Sequence, residues 1–177
     1  MRDDSEARAR ATWQRARREL GASIAALEFG EAASTLAVGG ASESPRVIRV
    51  DLGVEAVGRT YLQAPNPGEG AIEQAIVEVE ERIMPLRRHV PVDAYCVTMD
   101  RRVARVAAAL GLATGDGWAP LPVDRVEDAF NRWVSIALGR PSTQDTLPVD
   151  ATFAATLLVL REWLHHFACA DIRWARP

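Results

Sequence analysis

Residues 24–40 have the sequence IAALEFGEAASTLAVGG, which predicts a β-strand, a tight turn and a second strand. The turn keeps Gly30, Ser34 and Thr35, but residues 31–33 between them are Glu-Ala-Ala. Backbone N–H groups wrap a phosphate where glycines let the chain turn tightly and approach the ligand closely. Alanine side chains restrict that approach, and a carboxylate repels the anion. The stretch therefore predicts a phosphate-binding turn that has lost its ligand.

The composition is that of a globular domain without an extreme charge. The chain has 177 residues, 48% of them hydrophobic, and a net charge of −3. This charge gives no general attraction to nucleic acid or to anionic membranes. No window approaches the roughly 20 apolar residues that span a bilayer, and the chain is charged from Arg2 onward, so we expect neither a membrane span nor a secretory signal. All 21 basic residues are arginine, which excludes chemistry on lysine.

The hydrophobic periodicity predicts one α/β domain over residues 1–177, with an N-terminal helix within 1–20. Its predicted strands are 23–29, 34–39, 46–52, 95–99 and 171–175. Its predicted helices are 3–20, one from Asn66 to about Pro85, 101–111, 123–138 and 149–167, with loops at 64–70, 115–122 and 139–148. Three consecutive antiparallel strands followed by alternating helices and strands are typical of a ribonuclease-H-like lobe, a mixed five-stranded sheet with helices on both faces.

The helix at Asn66 has the strongest start signal. Asn66 is a good N-cap, Pro67 fits the first helical position, and Glu69 can complete a capping box. We expect the helix to begin at this segment.

Several segments in consistent order carry a family resemblance. They are Ser5-Glu6-Ala7-Arg8, Leu27–Gly30 with Ser34-Thr35, Asp51-Leu52-Gly53, Tyr61-Leu62 with Asn66-Pro67, Val97–Ala107 and Pro148–Leu164. Together they resemble the exopolyphosphatase and guanosine pentaphosphate phosphohydrolase family, whose members have two ribonuclease-H-like lobes around a cleft in the actin, hexokinase and Hsp70-like ATPase fold. The resemblance implies one degenerate lobe of that fold, without the other lobe and its phosphate loop.

The chain departs from the family where the family's phosphate chemistry lies. Ser5 replaces the first Glu of the family's Glu-Glu-Ala-Arg segment, and Glu6 keeps the second. Glu28 replaces the Asp of the glycine turn, and Leu36 corresponds to the Glu that closes it. Residues 100–102, Asp-Arg-Arg, replace the Gly-Gly-Thr of the second glycine site.

Two sets of candidate site residues follow. Glu6 and Glu28 are the candidate catalytic pair, which could activate water or hold Mg²⁺. The alternative, which we favour, makes Glu6 a helix-start residue that interacts with the dipole and Glu28 a carboxylate paired with an arginine. The candidate anion-binding residues are Gly30, Ser34, Thr35, Gly53, Arg101 and Arg102. Arg101 and Arg102 could form an anion site or pair locally with Asp100 and Asp93, and the sequence does not separate these alternatives.

No metal site is predicted. His165 and His166 are adjacent on a helix and cannot share an ion through one face, and Glu162 is the only carboxylate at helical spacing. Cys96 and Cys169 are far apart in the sequence and in no CxxC motif, which favours reduced cysteines in the cytoplasm, with Cys96 in the core. The five tryptophans are scattered, unlike a nucleic-acid stacking platform.

The leading functional hypothesis is a non-catalytic binding or regulatory module, a pseudoenzyme of the phosphatase family. Its expected ligand is a phosphate-containing small molecule or polyphosphate, without a cofactor. The alternative is a phosphoanhydride hydrolase, with Mg²⁺ if active, whose cleft a second subunit completes. A protein-interaction domain without a ligand is the third hypothesis. We expect a homodimer, because a lone lobe leaves apolar surface uncovered.

Overall fold

The structure is a computed structural model that describes residues 2–40, 44–63, 67–112, 115, 117–141, 143 and 145–176. Its helices are α1 (Arg2–Leu20), α2 (Val54–Tyr61), α3 (Glu69–Ile83), α4 (Arg101–Ala109), α5 (Val123–Ala137) and α6 (Ala151–His166), and a 3₁₀ helix covers Met84–His89. Its strands are β1 (Ile24–Glu28), β2 (Ser34–Gly39), β3 (Arg46–Val50), β4 (Tyr95–Thr98), β5 (Ala119–Pro122) and β6 (Asp171–Trp174).

The six strands form one mixed sheet in the order β3-β2-β1-β4-β6-β5. Strands β1 and β2 pair antiparallel from Ile24 opposite Gly39 to Glu28 opposite Thr35, and β3 continues the antiparallel part. Strands β1, β4 and β6 are parallel. The predicted α/β lobe and its five strands in one sheet are therefore confirmed, including the pairing of 34–39 with 23–29.

The sixth strand was not predicted. Strand β5 lies within the stretch 115–122, for which a loop was the prediction, and it pairs antiparallel with β6. Its sequence contains Pro120 and Pro122, which cannot donate to a ladder and are found in sheets mainly on edge strands. Strand β5 is an edge strand, so this sequence is compatible with the sheet, but its local pattern is that of a loop.

Two helix predictions also need correction. Helix α2 was not predicted, since it has only eight residues and follows the third strand directly. Helix α3 begins at Glu69 with Gly68 as its N-cap, so the prediction of Asn66 as the N-cap is wrong by two residues. Asn66 itself lies outside the described residues.

Helices cover both faces of the sheet, as predicted. Helix α1 packs Ala9, Trp13 and Ala16 against one face, where Ile24 and Val97 lie. The other helices cover the opposite face around α6, which is buried along most of its length, including Trp163. Strand β1 is buried on both sides because it is central and covered on both faces. No helix among the described residues is long and apolar enough to cross a membrane.

The two cysteines form a disulfide bond. Cys96 lies in β4 and Cys169 in the turn between α6 and β6, and the two are 73 residues apart in sequence. The interpretation of the cysteines as unpaired is wrong in this structure, because β4 and β6 are neighbouring parallel strands and bring their entry segments together. Cys96 is nevertheless a core residue, as expected.

Reduction of this disulfide is expected to lower the free energy of unfolding by about 2–4 kcal/mol, because the bridge closes a long loop in the unfolded chain. Chemical denaturation with and without reductant measures the change, and a Cys96→Ser/Cys169→Ser double variant, which should not respond to reductant, is the control. Two reactive thiols in the unfolded protein without reductant would contradict the disulfide.

Candidate functional site

The candidate site is a cleft where β1 and β4 end. The carboxyl ends of parallel strands are the usual place for ligands in α/β sheets. Glu28 is the last residue of β1 and Asp100 follows β4, so the two carboxylates lie at the same sheet edge. Helix α1 lies along the cleft.

The cleft consists of two adjoining cavities, of about 400 and 410 Å³, and both are lined by Arg8 and Arg102. The first part is also lined by Ala11, Thr12, Glu28, Met99, Asp100 and Arg101. The second is also lined by Asp4, Ser5, Phe29, Gly30, Glu31, Ala32, Ala33 and Arg49. The two shared arginines therefore occupy the centre of the cleft.

The glycine turn is closed by its own backbone. A Cβ on Gly30 would lie 2.0 Å from the carbonyl oxygen of Ala33, which is why only glycine fits there. The first N–H groups of α2 bond the turn: Val54 donates to the Gly30 carbonyl at 3.0 Å and Ala56 to the Glu31 carbonyl at 3.1 Å. Helix N-terminal N–H groups are the donors that usually bind anions. Here two of them are used by the protein itself.

Gly53 packs against the same turn. A Cβ on Gly53 would lie 2.2 Å from the Glu31 carbonyl oxygen and 2.4 Å from Cα of Ala32. The contacts of Gly30 and Gly53 are thus packing contacts within the chain. That these glycines bind an anion stays a prediction.

The two hydroxyl groups after the turn are buried and hydrogen-bonded. Ser34 donates to the carbonyl oxygen of Leu52 at 2.6 Å. The Thr35 hydroxyl lies 2.9 Å from the hydroxyl of Ser5 on α1. Ser5, where the family resemblance has a Glu, therefore faces the turn, and its bond with Thr35 joins α1 to β2.

Glu28 is paired with an arginine. Its carboxylate is buried and accepts a hydrogen bond from Nε of Arg8, whose guanidinium also binds Asp4 on the same helix. Burial raises the pKa of Glu28, the hydrogen bond from Arg8 opposes this rise, and the nearby charge of Asp100 adds to it. The structure shows the favoured interpretation of Glu28, a carboxylate paired with an arginine.

Glu6 lies apart from this pair. Its side chain is exposed on α1, and within the described part of the chain it makes no hydrogen bond or ion pair. Ser5 and Arg8, at other positions on the helix, face the cleft instead. Among the described residues, no hydrogen bond therefore joins the candidate catalytic pair of Glu6 and Glu28.

Asp100 is the most connected carboxylate of the site. One of its oxygens accepts from the N–H of Phe29 at 3.0 Å, and the other caps α4 by accepting from the N–H of Arg102 at 2.7 Å. The residue is only 4% exposed. Burial raises the pKa of Asp100, and the hydrogen bonds and charge of Arg102 oppose the rise. Asp100 thus joins the end of β1 to the start of α4.

Arg102 is held by three partners. Its Nη2 donates to Glu55 on α2 at 2.7 Å, its Nη1 donates to the Phe29 carbonyl at 3.0 Å, and the same nitrogen lies 3.4 Å from Asp100. Of the two alternatives for Arg102, an anion site or pairing with acidic residues of the chain, the structure shows the pairing. The acidic partners are Asp100, as expected, and Glu55 in place of Asp93. Arg101 is exposed at the cleft and makes no ion pair with the described residues.

Two residues that form ion pairs in the cleft could not be identified from the sequence pattern. Arg8 and Glu55 were not candidates, because their pairing with Glu28 and Arg102 joins positions 20 and 47 residues apart. The N-cap position of Asp100, directly before Arg101, was the one local signal that could have identified its role.

Comparison with solved structures identifies proteins with a similar fold. The chain is similar to a type II crystal structure of the Aquifex aeolicus Ppx/GppA phosphatase, with a TM-score of 0.77 and 13% identity over 97% of this chain and 59% of that one. It is also similar to an exopolyphosphatase from Cytophaga hutchinsonii, with a TM-score of 0.71 and 10% identity over 97% of this chain and 60% of that one.

These likenesses confirm the predicted resemblance at the level of the fold, a lobe of the Ppx/GppA type. The chain spans about three fifths of the length of the structures it matches. No protein-family model matches the sequence, and no curated protein is similar to it at a significant level.

Proposed function

We propose that this chain is a non-catalytic binding or regulatory module built on one lobe of the Ppx/GppA phosphatase fold. The observation that carries the proposal is the pairing of the two arginines that line both parts of the cleft with acidic side chains of the chain itself, Arg8 with Glu28 and Arg102 with Glu55 and Asp100. The charges of these two arginines are therefore neutralised by the chain itself.

Phosphoryl transfer depends on positioned donors and cations that stabilise charge on the transferred group. The turn offers few free donors. Two N–H groups next to it donate to its own carbonyl oxygens, and the Ser34 hydroxyl donates to the carbonyl oxygen of Leu52. Removal of one stabilising donor can lower a rate by about 10²–10³-fold. Several donors are engaged here, so loss of hydrolysis is the expected result.

The residues also do not fit a Mg²⁺ ion. Mg²⁺ needs carboxylate oxygens free to coordinate it in a near-octahedral arrangement. The oxygens of Asp100 accept from two backbone N–H groups, and Glu28 accepts from Arg8. Two guanidinium groups next to these carboxylates would repel a divalent cation.

Binding of a phosphate-containing ligand is the proposed remaining activity. Arg101 lies exposed at the cleft and is free of ion pairs with the described residues, which leaves one cation available to an anion. The solved relatives include proteins described as phosphatases and an exopolyphosphatase, which makes polyphosphate and phosphate-rich nucleotides the first ligands to test. The homodimer and the cytoplasmic location stay predictions.

We expect no phosphate release above background from polyphosphate, guanosine pentaphosphate or ATP, with or without Mg²⁺. A phosphate-release assay measures this, and titration of the same compounds followed by tryptophan fluorescence or calorimetry measures binding. The matched variants are Arg101→Gln, which should weaken any binding, and Arg10→Gln, an exposed arginine on α1, which should not.

Turnover that disappears in Glu6→Gln or Glu28→Gln would contradict the proposal and favour the second candidate, a phosphoanhydride hydrolase with a cleft completed by another subunit. No binding of any of the three compounds would favour the third, a protein-interaction domain.

A further inference from the structure

A cluster of three metal-ligating side chains lies away from the cleft. Glu162 and His166 are one turn apart on α6, and Glu80 reaches them from α3. His166 Nε2 is 3.4 Å from an oxygen of Glu80 and 3.6 Å from an oxygen of Glu162, and all three ligand atoms lie within 4.8 Å of one another. The cluster is at the end of α6 that leads into β6, so it lies at the sheet edge opposite the cleft.

We propose that Glu80, Glu162 and His166 form a binding site for a divalent transition-metal ion, with Zn²⁺ as the ion that the donor set fits best. This inference does not depend on the proposed function, because the cluster shares no residue with the cleft.

The first argument is an unsatisfied nitrogen. His166 Nε2 is buried and has no hydrogen-bond partner within the described part of the structure, although it lies 3.4 and 3.6 Å from oxygens of two carboxylates. A buried polar atom without a partner is costly and rare in native proteins. A metal ion between the imidazole and the carboxylates would satisfy it.

The second argument is the way Glu162 is held. This residue is 1% exposed, and one of its oxygens is bound by the neighbouring Arg161, whose guanidinium also lies over the ring of Phe130. The other oxygen faces His166. Arg161 thus fixes the carboxylate from one side and leaves its second oxygen for a ligand, as the outer partners of metal ligands usually do.

The third argument is distance. With metal–ligand bonds of about 2.0–2.1 Å, two ligands of a tetrahedral zinc ion are roughly 3.3–3.4 Å apart. The two distances from His166 Nε2, 3.4 and 3.6 Å, are close to this value before any ion has drawn the ligands in. The carboxylate oxygens of Glu80 and Glu162 lie within 4.8 Å of each other, and an ion between them would draw them closer.

The donor types decide which ion fits. One imidazole and two carboxylates suit zinc and related transition metals, whereas Mg²⁺ and Ca²⁺ take six or more oxygen ligands. Two carboxylates and a neutral imidazole would also neutralise the two positive charges of the ion. The Glu80 side chain is 38% exposed, which gives the ion a path from solvent and leaves room for water as a fourth ligand.

The test is titration of the full chain with Zn²⁺, by calorimetry and by competition with a chromophoric chelator. We expect one saturable site per chain and an affinity at least about 10–100-fold lower in His166→Ala and in Glu80→Gln. The chain has only three histidines, so His89→Ala and His165→Ala are matched controls that should keep the affinity. Glu80→Gln is preferred over a change at the buried Glu162, because partly exposed Glu80 can be replaced without disturbing the core.

Thermal unfolding gives a second readout, because an ion that binds only the folded chain raises the midpoint temperature. Zn²⁺ should raise the midpoint of the parent chain and of both controls but not that of His166→Ala, and Mg²⁺ should raise none of them. Absence of saturable binding at tens of micromolar Zn²⁺, or equal affinity in the parent chain and in His166→Ala, would overturn the proposal.

Discussion

Replacement of Gly53 by alanine is expected to lower the free energy of unfolding by about 3–5 kcal/mol. The new Cβ would lie 2.2 Å from the Glu31 carbonyl oxygen and 2.4–2.5 Å from backbone atoms of Ala32. These neighbours are backbone, so no flexible side chain can move aside. The turn and α2 would have to separate, which would break the bonds from Val54 and Ala56 to the turn carbonyls.

Gly70→Ala is the matched control. A Cβ on Gly70 meets no atom within 4 Å, and the residue lies in the first turn of α3. This variant should be neutral or more stable by up to about 1 kcal/mol, because alanine is the better helix former. Denaturant unfolding followed by circular dichroism measures both variants. Equal stability of Gly53→Ala and the parent chain would contradict the packing described here.

Replacement of Asp100 by alanine is expected to lower the free energy of unfolding by up to about 4 kcal/mol. The N–H of Phe29, buried next to Asp100, would lose its partner, at a cost of about 1–3 kcal/mol. Loss of the cap on α4 adds about 1 kcal/mol. Burial of the charged carboxylate is itself unfavourable and raises the pKa of Asp100, so removal of the carboxylate offsets part of this loss of stability.

Asp150→Ala is the matched control for Asp100. Asp150 also caps a helix, by accepting from the N–H of Phe153, and also pairs with an arginine, Arg105. Its side chain is 46% exposed, so water can replace the lost bonds and the expected cost is about 1 kcal/mol. Denaturant unfolding measures the difference between the two variants as a shift of the midpoint concentration, provided that the slope of the unfolding free energy against denaturant is unchanged. Equal losses in the two variants would contradict the view that burial makes Asp100 critical.

These two positions show how the cleft is held together. Gly53 lets α2 approach the turn, and Asp100 joins β1 to α4, so the segments that could contact a phosphate are bonded to one another instead. Under the proposed function, these bonds both stabilise the lobe and occupy donors that phosphoryl transfer would need.

The order of five α-helices and five strands, all of the described elements except α2, β5 and the 3₁₀ helix, could be predicted because it is encoded by local patterns. Alternation in β3 and helical spacing in α1 and α5 do not depend on the rest of the fold. Helix α2 could not be predicted in this way, since its eight residues include Gly58. A Cβ there would lie 2.9 Å from the Ala151 carbonyl oxygen, so this helix is stabilised by close packing on α6.

The sequence by itself determined the α/β class and the five main strands, because each depends on residues close together in the chain, and it predicts the loss of a glycine-rich phosphate turn from the same local pattern. The tertiary structure alone decided the partners: Arg8 for Glu28, Glu55 for Arg102, Cys169 for Cys96, and Glu80 beside Glu162 and His166. Apart from Glu162 and His166, which are one turn apart on α6, these partners are 20 to 86 residues apart in sequence. Their meeting depends on how strands and helices pack, which no local pattern records.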